Sequence, residues 1–179
     1  MLKIDDLNVS ITINDNLYPV LEDISFSVDR GETLGLVGES GCGKSMTALT
    51  IMGLLRRNIR ILSGKIDFNG MDLAAFNEKQ FEGLRGDQLS MIFQDSMSSL
   101  NPLMKVRKQI EEAYGIHFDL SKQELRAKAI QALLNVGFIN PEETLNKYPH
   151  QLSGGQRQRV MIAMAISAST LTTIAVFFP

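Results

Sequence analysis

The chain has 179 residues, of which 44% are hydrophobic and 21% charged, and its net charge is −2. This composition suits a globular protein with a substantial core, either one domain or one core carrying an inserted subdomain. Basic and acidic residues are interspersed, which excludes an electrostatic footprint for DNA or RNA, and the single cysteine, Cys42, excludes an internal disulfide and suits a reducing cytosol.

Met1-Leu2-Lys3-Ile4-Asp5-Asp6 turns acidic at once, so no signal peptide is expected. Leu2, Ile4, Leu7, Val9, Ile11 and Ile13 alternate, which predicts a half-buried strand with a slip at Asp5-Asp6. Asn14-Asp15-Asn16 predicts a turn, and Tyr18 to Val28 a second strand region with Ile24, Phe26 and Val28 on one side. Asp29 to Glu32 then turns the chain into Thr33-Leu34-Gly35-Leu36-Val37, a short apolar run expected as a buried strand. Two antiparallel strands feeding such a strand predict a mixed sheet, with a small β layer beside a parallel core.

Gly38-Glu39-Ser40-Gly41-Cys42-Gly43-Lys44-Ser45 fits G-x-x-x-x-G-K-[ST], the phosphate-binding P-loop. Glycines at 38, 41 and 43 can take positive φ and let backbone amides turn around an anion. Lys44 supplies a movable charge for the β- and γ-phosphates, and the Ser45 hydroxyl can ligate Mg²⁺. Ser45 to Met52 reads as the following helix, whose N-terminal amides favour phosphate. Cys42 sits at a variable position of the motif and reads as a small filler.

Ser63 to Gly70 predicts a further strand ending in a turn, and Leu89 to Gln94 a core strand that ends on a polar residue. Between about 95 and 160 helical signals take over. Ser121-Lys122-Gln123-Glu124 is a capping box; Leu125, Ala129, Ala132, Leu133 and Val136 follow on one face, and Gly137 supplies the stop. Ser153-Gly154-Gly155-Gln156 repeats the capping pattern before a second helix, Arg157 to Ile166. Val160 to Phe178 carries no charge and is about long enough to span a bilayer as one helix. Its β-rich second half, Thr170 to Phe178, instead predicts helix then buried strand, with no transmembrane segment.

Leu152-Ser153-Gly154-Gly155-Gln156 is a second anion site, because a helix start with two glycines offers its amides and the Ser153 hydroxyl to a phosphate. One protein does not need two such sites so far apart in sequence; two copies facing each other would.

In this order and spacing the P-loop, Gln94 and Leu152 to Val160 resemble the ATP-binding subunit of an ATP-binding cassette (ABC) transporter. Phe93-Gln94-Asp95, Ser99-Leu100-Asn101-Pro102, Tyr148-Pro149-His150 and Val160 to Ala165 are similar to the oligopeptide, dipeptide and nickel importer branch. The resemblance runs from residue 2 to about 168. It implies a P-loop NTPase α/β fold of the ABC type, with an N-terminal antiparallel β layer and an inserted α-helical subdomain. The division it implies is a nucleotide-binding core at 1–94, a helical subdomain at 95–166 and a truncated return strand at 167–179.

The resemblance assigns ATP phosphates to Gly38 through Ser45, with Mg²⁺ on Ser45 and Gln94. Gln94 becomes the Q-loop residue, touching Mg²⁺ or the attacking water and sensing the membrane partner. Leu152, Ser153, Gly154, Gly155 and Gln156 become the signature that meets the γ-phosphate of ATP held by the opposite subunit. Residues around 95–110 border the groove for a coupling helix. The family usually stacks adenine on an aromatic upstream of the P-loop; family spacing falls on Asp15, and Tyr18 is the candidate. Implied partners are a second ATP-binding subunit, transmembrane permease subunits and, indirectly, a solute-binding protein, at the cytoplasmic face of the membrane.

The family's next strand ends Asp-Glu-Pro, where the aspartate helps hold Mg²⁺ and the glutamate polarises water. Ile174-Ala175 align with that strand, and the acidic positions fall on Val176 and Phe177. The D-loop and switch histidine do not follow before Pro179, and His117 and His150 both precede the signature. This predicts a hydrolysis-defective chain, as a frameshifted or prematurely ended frame would produce, and makes a non-hydrolysing nucleotide-binding remnant the rival to an active importer subunit. A DNA-repair ABC ATPase would need a coiled coil or zinc insertion between Gln94 and Ser153, and neither is present; a simple P-loop kinase would not carry the signature.

Overall fold

The computed structural model describes residues 1–92 and 100–168. The chain divides into two compact units, Met1–Gly83 and Leu84 onward.

In the first unit β1 (Leu2–Ile13) and β2 (Asn16–Val28) form a long antiparallel hairpin. Asn14 and Asp15 both take positive φ, 49° and 62°, as a two-residue type I′ turn demands. β3 (Ile59–Phe68) pairs antiparallel with the other side of β1, and β4 (Met71–Asp72) folds back on β3, for the order β2-β1-β3-β4. The slip anticipated at Asp5-Asp6 is a bulge. Asp6 has φ 46°, and the register against both neighbouring strands shifts there. Because side chains alternate along a strand, one extra residue is what keeps Leu7 and Val9 buried along with Leu2 and Ile4. The Asp6 amide donates to Ser25 Oγ at 2.9 Å, and Asn8 Nδ2 donates to the Asp6 carbonyl at 2.9 Å. Gly64 of β3 lies over the bulge at φ 96°; a Cβ there would come within 2.5 Å of the Asp6 carbonyl oxygen and of Leu7 Cα. After the hairpin come α1 (Lys44–Ile51), which buries Thr47, Ala48, Thr50 and Ile51, and α2 (Glu78–Leu84).

Two expected strands differ. Thr33–Val37 forms no strand and pairs with nothing among the described residues, and Val37 is 97% exposed. A parallel strand is stable only between neighbours reached by crossover connections. The described sheet is antiparallel throughout, and Thr170 to Phe178, read as the buried strand after the last helix, lie outside the described residues. In the same way Leu89 makes an isolated bridge to Arg85, and Ser90 to Ile92 join no strand among the described residues although Ser90 and Ile92 are buried.

The second unit contains α3 (Val106–Gly115), α4 (Lys122–Asn135), α5 (Pro141–Leu145) and α6 (Gly154–Ala168). Val106 and Ile110 from α3, Ala129 and Leu133 from α4, and Val160 and Ala163 from α6 share its core. The predicted α4 face is the buried one, with Leu125 and Val136 at its margin. Its stop is a Schellman motif: Gly137 at φ 82°, its amide to the Leu134 carbonyl at 2.9 Å and the Phe138 amide to that of Leu133 at 3.0 Å. Ahead of α3, the buried Gln109 side chain holds the turn at Asn101–Met104. It accepts from the Asn101 amide at 2.9 Å and donates to the carbonyls of Asn101 at 3.0 Å and Met104 at 2.9 Å.

The Ser121–Glu124 capping box is complete. Ser121 Oγ accepts from the Glu124 amide at 3.3 Å, and Glu124 Oε2 accepts from the Ser121 amide at 2.8 Å. Hydrogen bonding to the Ser121 side chain, then to its backbone, lowers the Glu124 pKa below the ordinary carboxylate value. A depressed carboxylate stabilises the fold above its unfolded pKa and loses that contribution as pH falls through the folded pKa. In an NMR titration Ser121→Ala should therefore move Glu124 part of the way towards the ordinary value, the backbone bond remaining, and reduce this acid-sensitive part of stability. Gly64→Ala should cost about 2 kcal/mol in urea unfolding, because a left-handed residue and a backbone clash combine there.

Candidate functional site

The P-loop is built by local geometry around Gly43. This residue caps α1 at φ 91°, ψ −2°, without a side-chain cap. A Cβ on it would meet Leu21 Cδ2 at 2.6 Å and the Val20 carbonyl at 3.4 Å, so the loop lies directly on β2. Gly41 is also left-handed, at φ 88°, as anticipated. Gly38 is not; its constraint is proximity, since a Cβ there would sit 2.6 Å from Cys42 Sγ. Lys44 folds back over the loop, its ammonium donating to the carbonyls of Gly38 at 2.6 Å and Glu39 at 2.8 Å, with Cys42 Sγ at 3.4 Å. These carbonyls are neutral acceptors, and a phosphate oxygen is the stronger one. The Thr47 amide and hydroxyl both return to the Gly43 carbonyl, at 2.8 and 3.1 Å. Ser45 is exposed at the helix start, an oxygen donor of the kind Mg²⁺ accepts.

Tyr18 is half exposed on β2 opposite Ile11, on the strand whose Val20 and Leu21 support Gly43. Asp15 is the second residue of the hairpin turn.

In the second unit Ser153 caps α6. Its Oγ accepts from the Gln156 amide at 3.3 Å, and Gln156 Oε1 accepts from the Ser153 amide at 2.9 Å. The amides of Gly154 and Gly155 precede the intrahelical ladder, and both residues are exposed; Leu152 is buried and anchors the segment. Gln94 lies outside the described residues, as do Val176 and Phe177. His150 stacks on Tyr148 with ring centroids 5.6 Å apart, and His117 packs its imidazole over Gly86.

Sequence reasoning missed Arg157. Its Nη1 donates to the carbonyls of Leu152 at 2.8 Å and Pro149 at 3.4 Å, while its buried Nε has no hydrogen-bond partner among the described residues. The available signal was a cation in the first turn of a helix, where the macrodipole disfavours it unless carbonyls take it up.

The loop, the antiparallel layer and the helical unit together place the chain in the P-loop NTPase class of α/β proteins. Residues 21–174 match the family described as "ABC transporter", and the chain belongs to that family. It is 41% identical over 176 residues to the oligopeptide transport ATP-binding protein AppD of Bacillus subtilis (strain 168). It is 45% identical over 175 residues to the dipeptide transport ATP-binding protein DppD of Escherichia coli (strain K12). Each match covers 98% of this chain and 54% of the relative, so the chain spans about half the length of these curated relatives. Among solved structures, it is similar to a dimeric post-hydrolysis state of the ATP-binding cassette MJ0796 bound to ADP and Pi. The TM-score is 0.82 at 25% identity, over 94% of this chain and 70% of that one. No helix among the described residues is long and apolar enough to cross a membrane.

Ser153→Ala should cost about 1 kcal/mol, the usual worth of a helix N-cap. The Gln156 amide should exchange faster while the α4 amides keep their rates, as hydrogen exchange read by NMR would show.

Proposed function

We propose that the chain binds MgATP on Gly38–Ser45 as the ATP-binding subunit of an importer for peptides or related small solutes. The observation that carries this is the Lys44 ammonium, 2.6 and 2.8 Å from the Gly38 and Glu39 carbonyls within a left-handed glycine loop at an uncapped helix start. When phosphate enters, Lys44 exchanges those carbonyls for the β- and γ-oxygens, and the first amides of α1 take up the rest of the charge. Ser45 would hold Mg²⁺, which supplies charge neutralisation between the phosphates; Gln94 is its second proposed ligand. Tyr18 is the proposed adenine contact.

On this reading residues 1–94 form the nucleotide-binding core and 95–166 the helical subdomain, and 167–179 carries the chain from the end of α6 at Ala168 into the return strand. Leu152–Gln156 meets the γ-phosphate of ATP on a second ATP-binding subunit, identical or related. Permease subunits dock at about 95–110 and a solute-binding protein acts through them, on the cytoplasmic face of the membrane. The dimeric ADP- and Pi-bound cassette MJ0796 and the peptide-transport relatives support this assignment.

One observation favours a narrower activity. Val176 and Phe177 stand where the family carries the aspartate that helps hold Mg²⁺ and the glutamate that polarises water, so ATP is bound and not turned over. Purified chain should bind a fluorescent ATP analogue with Mg²⁺, lose that binding in Lys44→Ala, and release no phosphate. Restoring Val176→Asp with Phe177→Glu should raise release by about 10²- to 10⁴-fold, the usual worth of a general base. Release by the unaltered chain that vanishes in Lys44→Ala overturns the hydrolysis-defective reading; absence of analogue binding overturns the nucleotide reading.

A further inference from the structure

Arg157 and Arg159 begin the same helix but are used differently. Arg159 reaches the end of α4, its Nη1 donating to the Gly137 carbonyl at 3.4 Å and its guanidinium lying 5.8 Å from the Phe138 ring centroid. Arg157 turns back to the segment that leads into its own helix. One nitrogen, Nη1, takes both the Leu152 and the Pro149 carbonyls. The same segment is also tied by the Tyr148 amide on Gln151 Oε1 at 2.8 Å and the Leu152 amide on the Pro149 carbonyl at 3.1 Å. Leu152 and Pro149 are both buried, so their carbonyls cannot turn to water without moving the segment. Ser153 follows directly, and its cap sets where the Gly154 and Gly155 amides face.

We propose that Arg157 is a positioning residue of the Leu152–Gln156 anion site, its clasp on the Leu152 and Pro149 carbonyls aiming the Ser153 hydroxyl and the Gly154 and Gly155 amides at the terminal phosphate carried by a second subunit. This rests on the reading of that segment as a site acting across a dimer. An unfixed segment would let α6 fray from its first turn, and the amides would have to be ordered when the phosphate arrives. Because a single nitrogen makes both contacts, the ammonium of a lysine can replace it, whereas methionine, similar in length and apolar, cannot.

The test uses Arg157→Met and Arg157→Lys in the full chain. The readouts are binding of the fluorescent ATP analogue, sedimentation with MgATP, and exchange of the Ser153–Gln156 amides. Arg157→Met should bind the analogue on its own P-loop as the parent does. Its MgATP-driven dimerisation should weaken, and its Ser153–Gln156 exchange quicken, each by about tenfold or more, the scale of a lost charge-assisted hydrogen bond. Amides from Val160 onward should keep their rates, which separates a positioning role from general loss of structure. Arg157→Lys should recover dimerisation to within about threefold, because an ammonium donates to the same carbonyls.

Parent-like dimerisation and exchange in Arg157→Met overturn the proposal. A loss equally deep in Arg157→Lys overturns it as well. A parent chain that binds the analogue and stays monomeric with MgATP overturns the reading across the dimer and the phosphate role given to Arg157, while the exchange rates still decide whether the clasp exists.

Discussion

Gly43 lies so close to β2 that any side chain on it would displace Leu21, and this contact sets where the phosphate loop and the start of α1 stand on the sheet. Leu21 can serve as that seat because it is itself buried, opposite Val9 of β1. Val9 in turn points inward because the bulge at Asp6 shifts the alternation of β1 by one residue. The loop's geometry is thus referred to a strand register established at the far end of the hairpin. The positive φ of Gly43 then lets the chain enter α1 with no side chain competing for its first amides.

Three helix starts in this chain show one device turned to different ends. At α4, Ser121 and Glu124 close the box reciprocally, and the result is stability alone. At α1 no side chain caps the helix. At α6, Ser153 and Gln156 close the same kind of box, yet two glycines between them leave exposed amides that no neighbouring Cβ shields. Between α4 and α6 the physical distinction is what occupies the first two helical positions, whereas α1 differs by having no side-chain cap.

Features decided by neighbours in sequence were legible in advance. The hairpin turn at Asn14-Asp15, the bulge at Asp5-Asp6, both Ser-x-x-Glu/Gln boxes and the Gly137 stop each follow from residue types a few positions apart. Features decided by distant partners were not. Thr33–Val37 has the composition of a core strand, but composition cannot supply the parallel neighbour that would pair its backbone. The requirement at Gly38 is proximity to Cys42 and not left-handed backbone, and the clasp of Arg157 depends on a carbonyl that only the folded turn at Pro149 brings within reach.

The side chain of Gln109 stands in for a strand. Its amide exchanges a donor and an acceptor with the single residue Asn101, the pattern by which two antiparallel backbones pair, and spends its second donor on Met104. The turn from 101 to 104 is thereby ordered by a surrogate peptide group without belonging to any sheet. Since a carboxamide neither gains nor loses a proton in the range where carboxylates titrate, this brace is indifferent to acidity in a way that the Glu124 box is not. The approaches to α3 and α4 are therefore held by the same kind of bond, one responsive to acidity and the other not.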